Sequence, residues 1–165
     1  GTESITSYYI IPYGQSMGFA TADAQVFVDY IIYAMLAGYF AGIILIPKYI
    51  KQSKALAACA FLGVIFSVGA IVSTGITSVL FVIAMGFCNA LNWPCIWPLA
   101  LTGVGRFTKT AAAFLIMAIA GDALFPVLYA QLNSIFGPHG GVFLLMALYI
   151  TILLYAAVWH KKKAW

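Results

Sequence analysis

Charged residues are scarce in this chain of 165 residues: they make up 7% of it, against roughly 25% of a soluble globular domain. Hydrophobic residues make up 64%, and a water-soluble protein of this length could not bury so much apolar surface. The composition therefore indicates a polytopic membrane protein. Backbone polar groups need internal partners inside a bilayer, so helix bundles and closed barrels remain. Continuous apolar runs of about 20 residues favour an all-α membrane helix bundle.

Groupings that carry enzyme chemistry are also missing from the sequence. The three cysteines, Cys59, Cys88 and Cys95, lie in apolar runs without metal-ligand spacing or a neighbouring histidine, which predicts buried thiols. No nucleophile–histidine pair and no phosphate-binding loop occurs. A membrane enzyme or subunit would need clustered ionisable residues, whereas His139 and His160 are predicted on opposite sides of the membrane. We therefore predict that the chain is not an enzyme and holds no metal or cofactor.

The start of the chain lacks an initiating methionine, a charged leader and a cleavage site, so no signal peptide is indicated. Residues 1–13 have only half the length of a span, and we expect a truncated first helix with the N-terminal part of the protein missing. Gly38 and Gly42 are four residues apart, which predicts the close approach of a neighbouring helix. Full spans are predicted at about 24–47, 55–74, 79–101, 110–132 and 142–159.

Lysine and arginine are absent from three of the predicted connectors, those at 14–23, 74–78 and 133–141. All eight basic residues fall in the alternate connectors: Lys48, Lys51 and Lys54, then Arg106 and Lys109, then Lys161, Lys162 and Lys163. By the positive-inside rule those connectors and the C-terminus are cytoplasmic. The net charge of +4 therefore reflects basic residues next to the membrane, which are expected to contact anionic lipid headgroups. No nucleic-acid partner is predicted.

One predicted span carries unusual side chains for a lipid environment. Asn89, Trp93 and Trp97 recur every four residues and are predicted to share one helix face, with Asn92 beside them. An amide offers sugar hydroxyls a donor and an acceptor, and an indole face suits the C–H face of a pyranose. Pro94 and its neighbour Pro98 predict a loosened backbone, as in discontinuous transporter helices. The alternative is that the amides join helices and the indoles only pack.

Two carboxylates are predicted inside the membrane. Asp122 lies near the middle of the fourth full span, where insertion costs about 2.5–3.5 kcal/mol, so it should face a cavity or a partner. It is either a proton or substrate site, or a neutral carboxyl group bonded to a neighbouring helix. Glu3 falls near the middle of the membrane if the rest of its helix lies upstream, which makes it a candidate substrate-binding residue.

Several stretches resemble a known transporter family. The run GFCNALNWPCIWPLALTGVGRFTKTAAAFLIMAIAGDALFP resembles the tenth and eleventh helices of the major facilitator superfamily, within it the fucose:proton symporter family that includes bacterial glucose/galactose transporters. GYFAGIILIPKYIKQSKAL is similar to the eighth helix and its connector, and Gly1-Thr-Glu3 to the Gly-x-Glu of the seventh. The resemblance implies the C-terminal six-helix half of that fold, with its first helix truncated. The chain departs from the family at Asp122, where a second glycine is usual.

The resemblance also implies a function. It predicts proton-coupled symport of a monosaccharide of the fucose, glucose or galactose type, by alternating access in the bacterial inner membrane. The partners would be a sugar, the lipid bilayer and the missing N-terminal bundle, with the proton gradient in place of a cofactor. Asn89, Asn92, Trp93 and Glu3 would bind substrate, and Asp122 is a candidate proton or substrate site. The family's coupling carboxylates lie mainly in the missing bundle. A transporter of a non-sugar solute, or an exporter, is the alternative.

Overall fold

The computed structural model describes residues 1–46 and 48–158 as a helical bundle without a strand in those ranges. Within these two ranges, eight α-helices follow one another, with short 3-10 turns at Gly105–Phe107 and Ala118–Ala120. The α-helices are α1 (Thr2–Ser16), α2 (Thr21–Leu45), α3 (Gln52–Val72), α4 (Gly75–Ala90), α5 (Asn92–Leu101), α6 (Thr108–Met117), α7 (Gly121–Phe136) and α8 (Gly140–Ala157). The predicted all-α fold class is confirmed.

In the described part of the chain, five segments are long and apolar enough to cross a membrane. They are Thr21–Leu45, Gln52–Val72, Gly75–Leu101, Gly105–Phe136 and Gly140–Ala157, so α4 with α5, and α6 with α7, each form one span. Their order and number are those predicted, with ends that differ by a few residues. The predicted span ends at Pro47 and Trp159 lie outside the described residues, as does the predicted cytoplasmic cluster Lys161–Lys163.

The first connector is shorter than predicted. Residues 14–23 were expected to form a loop, but α1 continues to Ser16 and α2 begins at Thr21. The extra turn of α1 forms because the Met17 N–H donates to the carbonyls of Tyr13 and Gly14 at 3.1 Å each. These hydrogen bonds pair backbone carbonyls at the C-terminal end of the helix. Hydropathy is a property of side chains and therefore does not predict them.

The span that contains the asparagines and tryptophans breaks at Leu91. Pro94 has no N–H to donate to the carbonyl of Ala90, and its ring crowds the backbone one turn earlier. The chain therefore leaves α4 at Ala90, passes through Leu91 with φ −93° and ψ −8°, and starts α5 at Asn92. The predicted loosening of the backbone is confirmed, and the break separates Asn89 from Trp93.

Close packing of α2 against α4 relies on glycine, as predicted from the pair at positions 38 and 42. A Cβ atom on Gly38 would lie 2.5 Å from the carbonyl oxygen of Phe87 and 2.8 Å from the Cβ of Ala90. One turn later, a Cβ on Gly42 would collide with the side chain of Leu91. Only a residue without a side chain lets the two backbones approach this closely.

The outer surface of the bundle is apolar. Phe40, Ile43, Val72, Phe114 and Met117 are all more than half exposed, and a surface of such residues matches lipid rather than water. Inside, α3 packs against both α4 and α8, around fully buried side chains. The three cysteines are buried and unpaired, as predicted. The chain is an integral membrane protein.

Candidate functional site

A cavity of about 620 Å³ opens beside the helix break. It lies between the start of α1, the first turns of α5, the junction before α7, and the second half of α8. Its lining residues are Gly1, Thr2, Glu3, Tyr39, Asn92, Trp93, Ile96, Ala118, Ile119, Asp122, Phe125, Leu148, Thr151 and Ile152. The volume falls within the range of small-molecule pockets, and the lining combines apolar walls with a few polar groups.

Four of the five predicted site residues meet in this cavity. Glu3 comes from α1, Asn92 and Trp93 from the start of α5, and Asp122 from the start of α7. The break at Leu91 brings the α5 residues there, because α5 begins at the cavity wall. Their roles in binding stay predictions.

Asn89 is placed differently from the prediction. It was expected to share a helix face with Trp93 and Trp97, but it belongs to α4 and is 1% exposed, whereas Trp93 is 43% exposed. The break at Leu91 ends the regular spacing of four on which that expectation relied. Asn89 is not among the residues that line the cavity and lies behind its wall.

Asn89 is the centre of a buried hydrogen-bond network. Its Nδ2 donates to Thr6 Oγ1 at 3.0 Å, and its Oδ1 accepts from the hydroxyl of Tyr149 at 2.7 Å. Asn92 Nδ2 also donates to Asn89 Oδ1, at 3.3 Å, and to Thr2 Oγ1, at 3.3 Å. The network joins α1, α4, α5 and α8. The network thereby fixes the position of Asn92, which also lines the cavity.

The side-chain oxygen of Asn92 has no hydrogen-bond partner among the described residues, although Asn92 is only 8% exposed. A buried polar atom without a partner costs free energy, so one at a cavity wall needs an explanation. Both N–H groups of this amide are already engaged. The oxygen is therefore an acceptor without a partner that lies buried beneath the cavity surface, although Asn92 is one of the lining residues.

Asp122 lies where the 3-10 turn at Ala118–Ala120 gives way to α7. Its Oδ1 is 2.9 Å from the amino nitrogen of Gly1, and its side chain is 51% exposed. Asp122 thus faces both a cavity and partners, so the two interpretations of this residue stay open.

The aromatic residues of α5 divide between two surfaces. Trp93 lines the main cavity, and its ring centroid lies 5.3 Å from that of Trp97 at an interplanar angle of 54°. Trp93 also lines a shallow neighbouring pocket with Pro94, Trp97, Pro98 and Ile116, and Trp97 lines only that second pocket. An incoming molecule in the main cavity meets the indole of Trp93 and not that of Trp97.

Sequence reasoning did not single out Tyr149, Thr2 or Tyr39. Tyr149 is completely buried and supplies the shortest bond to Asn89, while Thr2 and Tyr39 line the cavity. One signal was available: a tyrosine in the middle of an apolar span needs a partner for its hydroxyl. The sequence does not identify that partner, because Asn89 lies 60 positions away in the chain.

Comparison with known proteins gives the family context of this site. No family model matches the chain. A glucose/galactose transporter of Brucella abortus is 31% identical over 145 residues, which are 88% of this chain and 35% of that protein. An L-fucose-proton symporter of Haemophilus influenzae is 28% identical over 132 residues, which are 80% of this chain and 31% of that protein. The chain thus spans about a third of the length of these relatives.

The fold agrees with this relationship. The crystal structure of FucP, a major facilitator superfamily transporter in the outward conformation, matches 96% of this chain and 39% of its own with a TM-score of 0.87, at 19% identity. The relatives are named as transporters, not as enzymes. The predicted resemblance is thereby confirmed: the chain has the fold of the major facilitator superfamily, and its sequence relatives are bacterial sugar transporters.

Proposed function

We propose that this chain forms one wall of the substrate site in a proton-coupled monosaccharide symporter. The observation that carries the proposal is the convergence of Glu3, Asn92, Trp93 and Asp122 on one cavity at a broken span. Broken helices near the middle of the membrane are where transporters of this kind bind their substrates. The sugar transporters among the sequence relatives support the choice of substrate class.

The chemistry of the wall suits a pyranose. The carboxylates of Glu3 and Asp122 can accept hydrogen bonds from sugar hydroxyls, and the indole of Trp93, which is 43% exposed, suits the apolar C–H side of the ring. Ile96, Ile119 and Phe125 supply apolar surface around these groups and exclude water. A few polar groups that fix orientation within an apolar lining are the usual composition of a small-molecule site.

The opposite wall would come from a second helix bundle. The relatives are about three times as long as this chain, and α6 has no buried residue while α7 has only Tyr129. A second six-helix bundle packed against this face would cover the cavity from the other side. Rocking of the two bundles about the shared site would then expose it to each side of the membrane in turn.

The orientation follows from the basic residues. Lys48, Lys51, Lys54, Arg106 and Lys109 occupy alternate connectors of the bundle, so we place these connectors and the C-terminus in the cytoplasm of a bacterial cell, with the chain in its inner membrane.

The energy would come from the proton gradient, without a cofactor. Asp122 is the candidate in this chain for a group that exchanges protons, because it faces the cavity and lies in a span. A carboxylate there couples transport to the gradient if its proton is taken up on one side of the membrane and released on the other.

Uptake by the complete transporter in proteoliposomes tests this proposal. A labelled hexose should accumulate when an inward proton gradient is imposed, and the accumulation should collapse when a protonophore is added. Hexose uptake that is independent of the proton gradient would rule out symport and indicate facilitated diffusion. Absence of hexose uptake, with exchange of another solute, would favour a non-sugar transporter or an exporter.

A further inference from the structure

We propose that the bundle binds a phospholipid with an anionic headgroup, whose acyl chain lies in a groove between α5, α6 and α8. The groove is next to the main cavity and has a volume of about 260 Å³. Its lining residues are Ile96, Ala100, Leu115, Thr151, Ile152 and Tyr155. The inference concerns a second ligand and does not depend on which solute is transported.

The groove is a gap in the helix packing. α8 packs mainly against α3 and α7, whereas α6 packs against α5 and the adjoining 3-10 turns. On α6, Ala111, Ala112 and Leu115 are half-buried and share one face, and the residues around them are exposed. This face carries Leu115 into the groove lining.

The groove lies in the half of the spans that is next to the α5–α6 connector. Ala100 is one residue before the end of α5, and Tyr155 is two residues before the end of α8. Leu115 follows Lys109, in the first turn of α6, by six residues, which is a rise of about 9 Å. The groove therefore runs from the helix ends toward the middle of the membrane, which is the direction of an acyl chain.

The lining favours an apolar occupant. Four of the six lining side chains are aliphatic, and the hydroxyl of Thr151 already donates to the carbonyl of Ala147 at 2.9 Å. The volume lies below the range of about 300–1,000 Å³ that is usual for drug-sized ligands. A single acyl chain is narrow enough for such a groove and is available at this depth of the membrane.

An acyl chain in the groove would also complete the wall of the main cavity. Ile96, Thr151 and Ile152 line both spaces, so the cavity continues into the groove. Hydrocarbon cannot hydrogen-bond to polar groups, and an unfilled groove would leave the polar cavity without a wall on this side. A chain held in place there separates the cavity from the mobile lipids.

The charge next to the groove selects the headgroup. Residues 102–109 include Arg106 and Lys109 but no aspartate or glutamate, and both basic side chains are exposed. Neither forms a salt bridge with a described residue, and the guanidinium of Arg106 lies over the ring of Phe107, 4.9 Å from its centroid. Basic residues beside a gap between spans are typical of sites for anionic lipid headgroups.

The expected selectivity follows from this division of contacts. The acyl chain adds little selectivity, because the surrounding lipids offer the same chains. Each basic residue near an anionic lipid surface contributes about fivefold in affinity. Phosphatidylglycerol should therefore bind about 25-fold more tightly than phosphatidylcholine, which has no net charge.

Native mass spectrometry of the complete transporter in detergent tests the proposal. Titration with phosphatidylglycerol or phosphatidylcholine gives the Kd of the first lipid that binds. Phosphatidylglycerol should bind about 25-fold more tightly, and its first site should saturate before others fill. Equal affinity for the two lipids would overturn the proposal. Because no sugar is present, this result is independent of the proposed function.

A first pair of variants assigns the acyl chain to the groove. Leu115→Trp places a larger side chain in the groove and should weaken phosphatidylglycerol binding at least about fivefold. Phe114→Trp introduces the same residue at a position that is 64% exposed and should leave the affinity unchanged. Unchanged affinity in both variants would overturn the assignment and indicate that the second bundle covers the groove.

A second pair of variants assigns the headgroup and leaves the packing of the bundle intact. The double variant Arg106→Gln/Lys109→Gln should lose the 25-fold preference for phosphatidylglycerol. The control Lys51→Gln/Lys54→Gln removes the same charge from exposed positions between α2 and α3 and should retain the preference. Equal losses in the two double variants would indicate general attraction to basic surfaces and would overturn the site.

Discussion

The hydroxyl of Tyr149 connects α8 to the amides behind the cavity, and Tyr149→Phe removes it without changing the volume of the ring. This hydroxyl donates to Asn89 Oδ1 at 2.7 Å from a position that is 0% exposed. In the variant, Asn89 Oδ1 keeps only the longer bond from Asn92, at 3.3 Å. The change therefore weakens the support of Asn92 without touching a residue that lines the cavity.

The magnitude can be worked out from these bonds. A buried neutral hydrogen bond contributes about 0.5–1.5 kcal/mol, and interhelical bonds in a membrane protein average about 0.6 kcal/mol. Because Asn89 Oδ1 keeps one donor, the larger penalty for an unsatisfied buried atom is avoided. We expect the substrate Kd to rise about two- to fivefold, equivalent to about 0.4–1 kcal/mol.

A double-mutant cycle with Asn92→Ala distinguishes this mechanism from a general loosening of the bundle. Calorimetric titration of the detergent-purified complete transporter gives the Kd of the parent, both single variants and the double variant. Once Asn92 is gone, the loss of the Tyr149 hydroxyl should no longer matter, which gives a coupling energy of about 0.5–1 kcal/mol. Independent sites add to within about 0.3–0.5 kcal/mol. An additive cycle would refute the network, as would an equal effect of Tyr33→Phe, which removes an exposed hydroxyl from α2.

Three further variants test other parts of the structure. Gly38→Val should destabilise the protein by about 1–3 kcal/mol in thermal melts, because the new side chain would collide with the α4 backbone. The control Ala37→Val, on the exposed side of α2, should be nearly neutral. Equal effects of the two variants would contradict the close packing of α2 against α4. Trp93→Ala should raise the sugar Kd about tenfold, through loss of about 1.4 kcal/mol of ring contact, and Trp97→Ala should change it little; the reverse order would move the site to the neighbouring pocket. Asp122→Asn should abolish gradient-driven uptake but preserve sugar exchange, and an unaltered response to the gradient would make Asp122 structural.

The helices could be predicted because their causes are local. Apolar runs report spans directly, since unsatisfied backbone is too costly in a bilayer. Pro94 predicts a helix break because proline has no backbone N–H. Gly38 predicts a close helix contact because glycine has no side chain. The end of α1 was misplaced because it depends on backbone bonds of Met17 that leave no trace in hydropathy.

The arrangement of the site was less predictable because its causes are distant in the chain. That Glu3 and Asp122 share a cavity depends on the packing of α1 against α7, 119 positions apart in sequence. The burial of Asn89 depends on the packing of its helix against Thr6 of α1 and Tyr149 of α8, which lie 83 and 60 positions away. Periodicity can place residues on a face only while the helix is continuous.

Two asparagines three positions apart have different environments, because Asn89 is buried within the bundle and Asn92 lines the cavity. In a continuous helix, Asn89 and Asn92 would be neighbours on one surface, each free to present either end of its amide to a ligand. Here Asn89 is buried among Thr6, Tyr149 and Asn92, and its orientation leaves Asn92 only one way to face the cavity. The ordering of that amide then occurs on folding instead of on binding, which lowers the entropic cost of capturing a ligand. The position of Asn92 is therefore a property of how α1, α4 and α8 pack, through residues such as Thr6, Asn89 and Tyr149 that do not line the cavity.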